Sequence, residues 1–119
     1  MSKKILVIDD DPYTVKYLET LFQDNGYDTC SAANGVEGHD VVRAEKPDLI
    51  TLDLEMSHEW GTRFYRRLSK EPEYKNIPII VISGMPSSHL AIKKVAGYLS
   101  KPFDPDELLS LVKKTIGDP

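Results

Sequence analysis

The chain has 119 residues, enough for one domain with one core and too few for two. Its 15 basic and 19 acidic residues give a formal charge of -4, with no general electrostatic reason to hold nucleic acid or a membrane surface. The single cysteine, Cys30, excludes an internal disulfide and a cysteine metal cluster and fits a reducing compartment. No apolar stretch approaches the ~18 residues of a membrane span. The opening MSKKILV runs straight into a strand pattern, so a cytoplasmic location is expected.

Strand-like and helix-like segments alternate along the chain. Ile5 to Ile8 is a continuous apolar run, the pattern of a strand covered on both faces, and it ends in Asp9-Asp10-Asp11. Asp11-Pro12 reads as a cap with proline at the first helical position; Val15, Leu18 and Phe22 recur at helical spacing, and Asn25-Gly26 is the stop. A strand over Asp28 to Ala32, a turn at Asn34-Gly35, a helix to Glu45 and a break at Pro47 follow. The third strand, Leu49 to Leu52, ends at Asp53, and Gly61 precedes a basic amphipathic helix from about Thr62 to Leu68. Ile79 to Ile82 is a strand ending at Ser83, Ser87 to Val95 a helix, and Tyr98 to Ser100 a strand ending at Lys101-Pro102. Asp104 caps the last helix, whose Leu108, Val112 and Ile116 face inward. Alternation of this kind predicts a parallel sheet with helices on both faces.

Neighbouring parallel strands open their C-terminal ends on one edge, where open α/β folds bind ligands. Asp9, Asp10, Asp53, Ser83 and Lys101 then share one pocket. Three carboxylates about 4 Å apart repel by roughly 4 kcal/mol per pair at an effective dielectric near 20. A raised pKa or a bound cation must offset that. Oxygen donors with no His or Cys among them suit a hard divalent ion, and a site that keeps waters suits Mg²⁺. Such an ion has positions open to phosphate oxygens; Lys101 adds a point charge for a phosphoryl group and the Ser83 hydroxyl a donor. Plainer readings compete at each position. An Asp run after a strand is commonly turn and cap chemistry, and Asp11 before Pro12 is read as only that. His39, His58 and His89 share no ligand spacing and are expected on the surface, whereas Phe22 and Phe103 are expected in core or edge packing.

The stretches KILVIDDDP, PDLITLDLEM, IPIIVISG and YLSKPFDPDEL, in this order, resemble the receiver domain of two-component response regulators, of the single-receiver chemotaxis or sporulation type. The resemblance runs from Lys4 to about Ile116, and residues 1–119 are taken as one receiver domain. It implies an α/β, flavodoxin-like, doubly wound fold: a five-stranded parallel sheet in the order 2-1-3-4-5. It also implies that Asp53 accepts a phosphoryl group from a phosphohistidine on a sensor histidine kinase or histidine phosphotransfer protein. Asp9, Asp10, Asp53 and Glu55 would hold Mg²⁺, Glu55 through its backbone carbonyl. Lys101 and Ser83 would assist the transfer, Ser83 and Tyr98 would form the switch with Tyr98 rotating inward, and Glu55 and Met85 would tune phosphoryl lifetime. The Lys101–Pro102 peptide is expected to be cis. The chain would be a regulatory phosphoacceptor rather than an enzyme, with slow self-catalysed acyl-phosphate hydrolysis, a downstream partner or effector domain, and no direct nucleic-acid binding.

Two departures from the family pattern stand out. The loop Leu54-Glu55-Met56-Ser57-His58-Glu59-Trp60-Gly61 lacks the family's proline four residues past the acceptor, which adds an N–H donor at Ser57 and frees its φ. Ser83 and Lys101 are 101 - 83 = 18 residues apart, about four fewer than the family carries, or roughly one helical turn. A shortened fourth-helix region is therefore expected. Two other readings stay open. The D-x-D within Asp9-Asp10-Asp11 resembles the haloacid-dehalogenase phosphatases, whose nucleophile would be Asp9; a receiver-like module that signals without phosphorylation is the other. Flavin binding is disfavoured, because a phosphate cradle after the first strand needs Gly, Ser or Thr where this chain has acids.

Overall fold

The computed structural model describes residues 2–54, 61–84 and 95–119. Glu55, Met85, His58, His89 and the predicted helix from Ser87, including the expected shortening of the fourth-helix region, lie outside them. The elements are β1 (Lys4–Ile8), α1 (Pro12–Asp24), β2 (Asp28–Ala32), α2 (Gly35–Glu45), β3 (Leu49–Leu52), α3 (Gly61–Ser69), β4 (Ile79–Ser83), β5 (Gly97–Ser100) and a C-terminal helix (Pro105–Ile116). All strand pairs are parallel, in the order β2-β1-β3-β4-β5, the flavodoxin-like order.

Two-residue alternation divides each strand between two cores. Leu6 and Ile8, Ile50 and Leu52, and Ile79 and Val81 pack with Val42 of α2 and Phe64 and Leu68 of α3. Ile5 and Val7, Leu49, Ile80 and Ile82, and Leu99 pack with Leu18 and Phe22 of α1 and Leu108 and Val112 of the C-terminal helix. Each inner strand is thus buried on both sides, which is why β1, β3 and β4 read as unbroken apolar runs. Edge strand β2 is less buried and more polar.

Helix ends follow local side-chain chemistry. The carboxylates of Asp11 and Asp104 accept the N–H groups of Tyr13 and Asp106 and cap α1 and the C-terminal helix, as expected. α1 stops at Asp24, with Asn25 as cap and Gly26 at φ 91, a left-handed value glycine adopts freely. The expected turn at Asn34-Gly35 is instead a helix start: Asn34 accepts the Glu37 N–H and Gly35 is the first helical residue. Asn-Gly serves both purposes, and the side chain's use as an N-cap decides between them. α2 ends at Glu45, with left-handed Lys46 as its cap directly before Pro47, which disfavours a helical conformation at Lys46.

The expectation of a surface histidine fails at His39. Its ring is 3% exposed and lies against Phe64, with centroids 4.7 Å apart. The inward face of α2 runs Gly35, Gly38, His39 and Val42, so His39 falls on the buried stripe. The absence of ligand spacing argued against a metal role but said nothing about which face carries the ring. Phe22 is fully buried, and partly buried Phe103 packs on the same core as α1, both in keeping with packing roles.

Candidate functional site

Three strand ends converge on one edge. The backbone ladder continues one residue past each strand: Asp9 N–H donates to the Ala32 carbonyl at 3.2 Å, Asp53 N–H to the Ile8 carbonyl at 3.0 Å, and Lys101 N–H to the Ser83 carbonyl at 3.0 Å. Sheet pairing therefore sets the positions of Asp9, Asp53 and Lys101 at their Cα atoms. Asp9 and Asp53 continue the parity of Val7 and Thr51, so both side chains leave the sheet on the same side.

Asp9, Asp10 and Asp53 bring one carboxylate oxygen each within 4.8 Å of one another; Asp9 and Asp53 are buried and Asp10 is exposed. The Lys101 ammonium enters this group, donating to Asp9 Oδ2 at 2.8 Å and lying 3.7 Å from Asp53 Oδ2. Burial by itself pushes the Lys101 pKa down; the hydrogen bond to Asp9 and the charges of Asp9, Asp53 and Asp11 outweigh it, and the net direction is up. Lys101 is thus a fixed positive charge at neutral pH. Three carboxylates and one ammonium leave -3 + 1 = -2, the charge one divalent cation neutralises. The donor set is oxygen only, and exposed Asp10 leaves one side open to solvent, so these residues fit a hydrated Mg²⁺.

Ser83 is fully buried at the end of β4, paired in register with Ser100, and its carbonyl holds the Lys101 N–H. Tyr98 stands two residues earlier on β5 and packs against the α2–α3 core. Its hydroxyl is already buried, and burial followed by the neighbouring Tyr65 raises its pKa. Lys101–Pro102 is cis, as expected. Glu55 and Met85 lie outside the described residues.

One contributor escaped the sequence reading, which gave Asp11 a capping role alone. Asp11 does cap α1, but its own N–H also donates to Asp9 Oδ1 at 2.9 Å. Asp9 is held at both oxygens, by Asp11 and Lys101, and so is oriented before any ligand arrives. The signal was available: an Asp two residues before a helix cap is positioned for an Asx turn.

The response regulator receiver domain family matches residues 5–113. Protein Rrf1 of Nitratidesulfovibrio vulgaris is 34% identical over 116 residues, covering 98% of this chain and 84% of that protein. The polar-differentiation response regulator DivK of Brucella anthropi is 27% identical over 122 residues and covers 99% of each chain. The structure of the chemotaxis response regulator CheY4 of Vibrio cholerae superposes with a TM-score of 0.88 at 27% identity, covering 97% of this chain and 99% of that one. A match spanning the sheet, both layers of helices and all three converging strand ends shows that the chain belongs to the response regulator receiver domain family of two-component systems.

Proposed function

We propose that residues 1–119 act as one receiver unit in which Asp53 accepts a phosphoryl group from a phosphohistidine on a sensor histidine kinase or histidine phosphotransfer protein. The observation that carries this reading is the placement of Lys101 between Asp9 and Asp53, at 2.8 and 3.7 Å, beside an open group of three carboxylates. An Asp53 oxygen attacks phosphorus, the P–N bond to the donor imidazole breaks, and the imidazole leaves with the bond's electron pair and takes up a proton. Asp9, Asp10 and Asp53, with the backbone carbonyl of Glu55, would hold Mg²⁺, which when bound supplies positive charge to the phosphoryl oxygens. Lys101 orients Asp53 and meets the developing charge, so the gain comes from positioning and electrostatics.

Coupling runs through β4 and β5. Ser83 donates to a phosphoryl oxygen, and partly buried Tyr98 rotates inward into the space this vacates. Glu55 and Met85 tune the lifetime of the acyl phosphate, which water hydrolyses slowly. A cytoplasmic setting, a regulatory rather than enzymatic role, a downstream protein or effector domain and no direct contact with nucleic acid accompany this reading. Among the described residues no helix is long and apolar enough to cross a membrane.

The test is incubation with Mg²⁺ and a small phosphoryl donor such as phosphoramidate, read by intact mass. The parent should gain one phosphoryl group and Asp53→Asn none. Loss in Asp9→Asn with full retention in Asp53→Asn would instead place the nucleophile on β1, as in the haloacid-dehalogenase pattern. An unmodified parent would favour a phosphorylation-independent module.

A further inference from the structure

From Gly61 to Lys70 the chain carries four cations, Arg63, Arg66, Arg67 and Lys70, and no acid. With a net charge of -4 for the whole chain, the remaining residues sum to -4 - 4 = -8. At about 100° per residue Arg63, Arg66 and Arg67 of α3, with Lys70 one residue past its end, fall within an arc of roughly 100° and extend along about 10 Å of the helix axis. All four are exposed, while Phe64 and Leu68 on the other side of the helix are buried in the core.

Helix stability does not explain this stripe. Its neighbours at i, i+3 and i, i+4 are like-charged, which opposes helix formation. Cations in the last turn gain from the helix dipole, but Arg63 lies in the first turn, where a cation is unfavourable. Outside the stripe, Lys4 pairs with Glu45, Arg43 with Asp40 and Glu71, and Lys101 with Asp9. Among the described residues Arg63, Arg66 and Lys70 make no ion pair.

We propose that this face of α3 docks an acidic helical segment of a partner protein. Two turns of helix with carboxylates at i, i+3 or i+4, and i+7 match the length and spacing of the stripe. The surroundings select for a short partner. Glu71 and Glu73 follow the stripe directly and the rest of the chain is net negative, so a polyanion reaching beyond it, such as nucleic acid or an anionic bilayer, meets repulsion that a short helix avoids. The inference does not depend on phosphoryl transfer at Asp53.

The experiment measures anisotropy of a fluorescent alanine-based helix with glutamates at these spacings, at physiological ionic strength. The parent should bind it, and the triple variant R63Q/R66Q/K70Q should bind at least about tenfold more weakly, the sum expected of three exposed ion pairs. That variant should keep the parent's circular dichroism and unfold in no less urea, since like-charge contacts are removed. K113Q/K114Q, on the exposed end of the C-terminal helix, should bind like the parent. The proposal is overturned by an unbound parent, by equal binding of the triple variant, or by equal binding of the glutamine version of the peptide. It is also overturned by tighter binding of an oligonucleotide or of phosphatidylserine vesicles, or by self-association that the triple variant abolishes, which would make a second copy the occupant.

Discussion

Asp9 and Asp10 are adjacent in sequence, yet the fold gives them different work. Asp9 is 3% exposed and tied to both the Lys101 ammonium and the Asp11 N–H, whereas Asp10 is exposed on the open side of the cluster. Replacing Asp9 therefore leaves a half-buried ammonium without its nearest partner, a loss of about 1–3 kcal/mol. Replacing Asp10 removes a charge that repels the carboxylates of Asp9 and Asp53. Asp10→Asn should weaken Mg²⁺ binding, measured by titration calorimetry, while the urea midpoint stays at or slightly above the parent's. Unchanged Mg²⁺ affinity would remove Asp10 from the metal site. Residue types alone indicated an oxygen-donor site here; which acid the lysine grips depended on where β5 ends relative to β1 and β3.

At the level of elements, two glycines mark close approaches that a methyl group would disturb. A Cβ on Gly38 would lie 2.9 Å from Ile8 Cδ1 and 3.0 Å from Phe64 Cε1, both side chains of the packed core between α2, β1 and α3. A Cβ on Gly97 would lie 2.5 Å from Leu111 Cδ2, the far end of a partly buried, flexible side chain of the C-terminal helix. Alanine gains up to ~1 kcal/mol over glycine inside a helix, while overpacking a rigid core costs about 1–3 kcal/mol. Gly38→Ala should therefore lose about 1–2 kcal/mol of stability in urea unfolding. Gly97→Ala should lose less, despite the shorter contact, because its neighbour yields. Equal losses would mean that Leu111 is as confined as Phe64. The glycine spacing in the sequence held no hint of this, since close approach is a property of two elements and not of one.

For the molecule as a whole, alkaline pH is the informative axis. Burial, and secondarily the Glu45 charge, pushes the Cys30 thiol from 9.0 up to about 11, and burial followed by the Asp118 charge raises Tyr27. Both groups lose their protons more readily in the unfolded chain, which then holds fewer protons than the folded one, so stability falls as pH rises. The contribution is intact below about 9 and disappears as pH passes through about 11. The urea midpoint should be level across neutral pH and decline through that window, and Cys30→Ala should flatten the early part of the decline. A parent midpoint that is constant across the window would show that Cys30 is more hydrated than its packing beside β1 implies. Slow alkylation at pH 8 follows as well, with roughly one thiol in a thousand ionised.

Among the described residues, periodicity determined the strands and helices almost to the residue, because a strand buried on both faces must be apolar throughout and an amphipathic helix must repeat its apolar positions. Capping chemistry likewise determined the starts of α1 and the C-terminal helix from single aspartates. The order of strands came from the family resemblance and not from the pattern, since each strand alone is equally able to pair with any other. Tertiary structure decided what depends on two distant segments at once: the burial of His39 against Phe64, and the grip of Lys101 on Asp9 at 2.8 Å with Asp53 at 3.7 Å. Local residue spacing governs which face a side chain occupies, but the distance between two strand ends is set by cross-strand register, and register exists only once the sheet has formed.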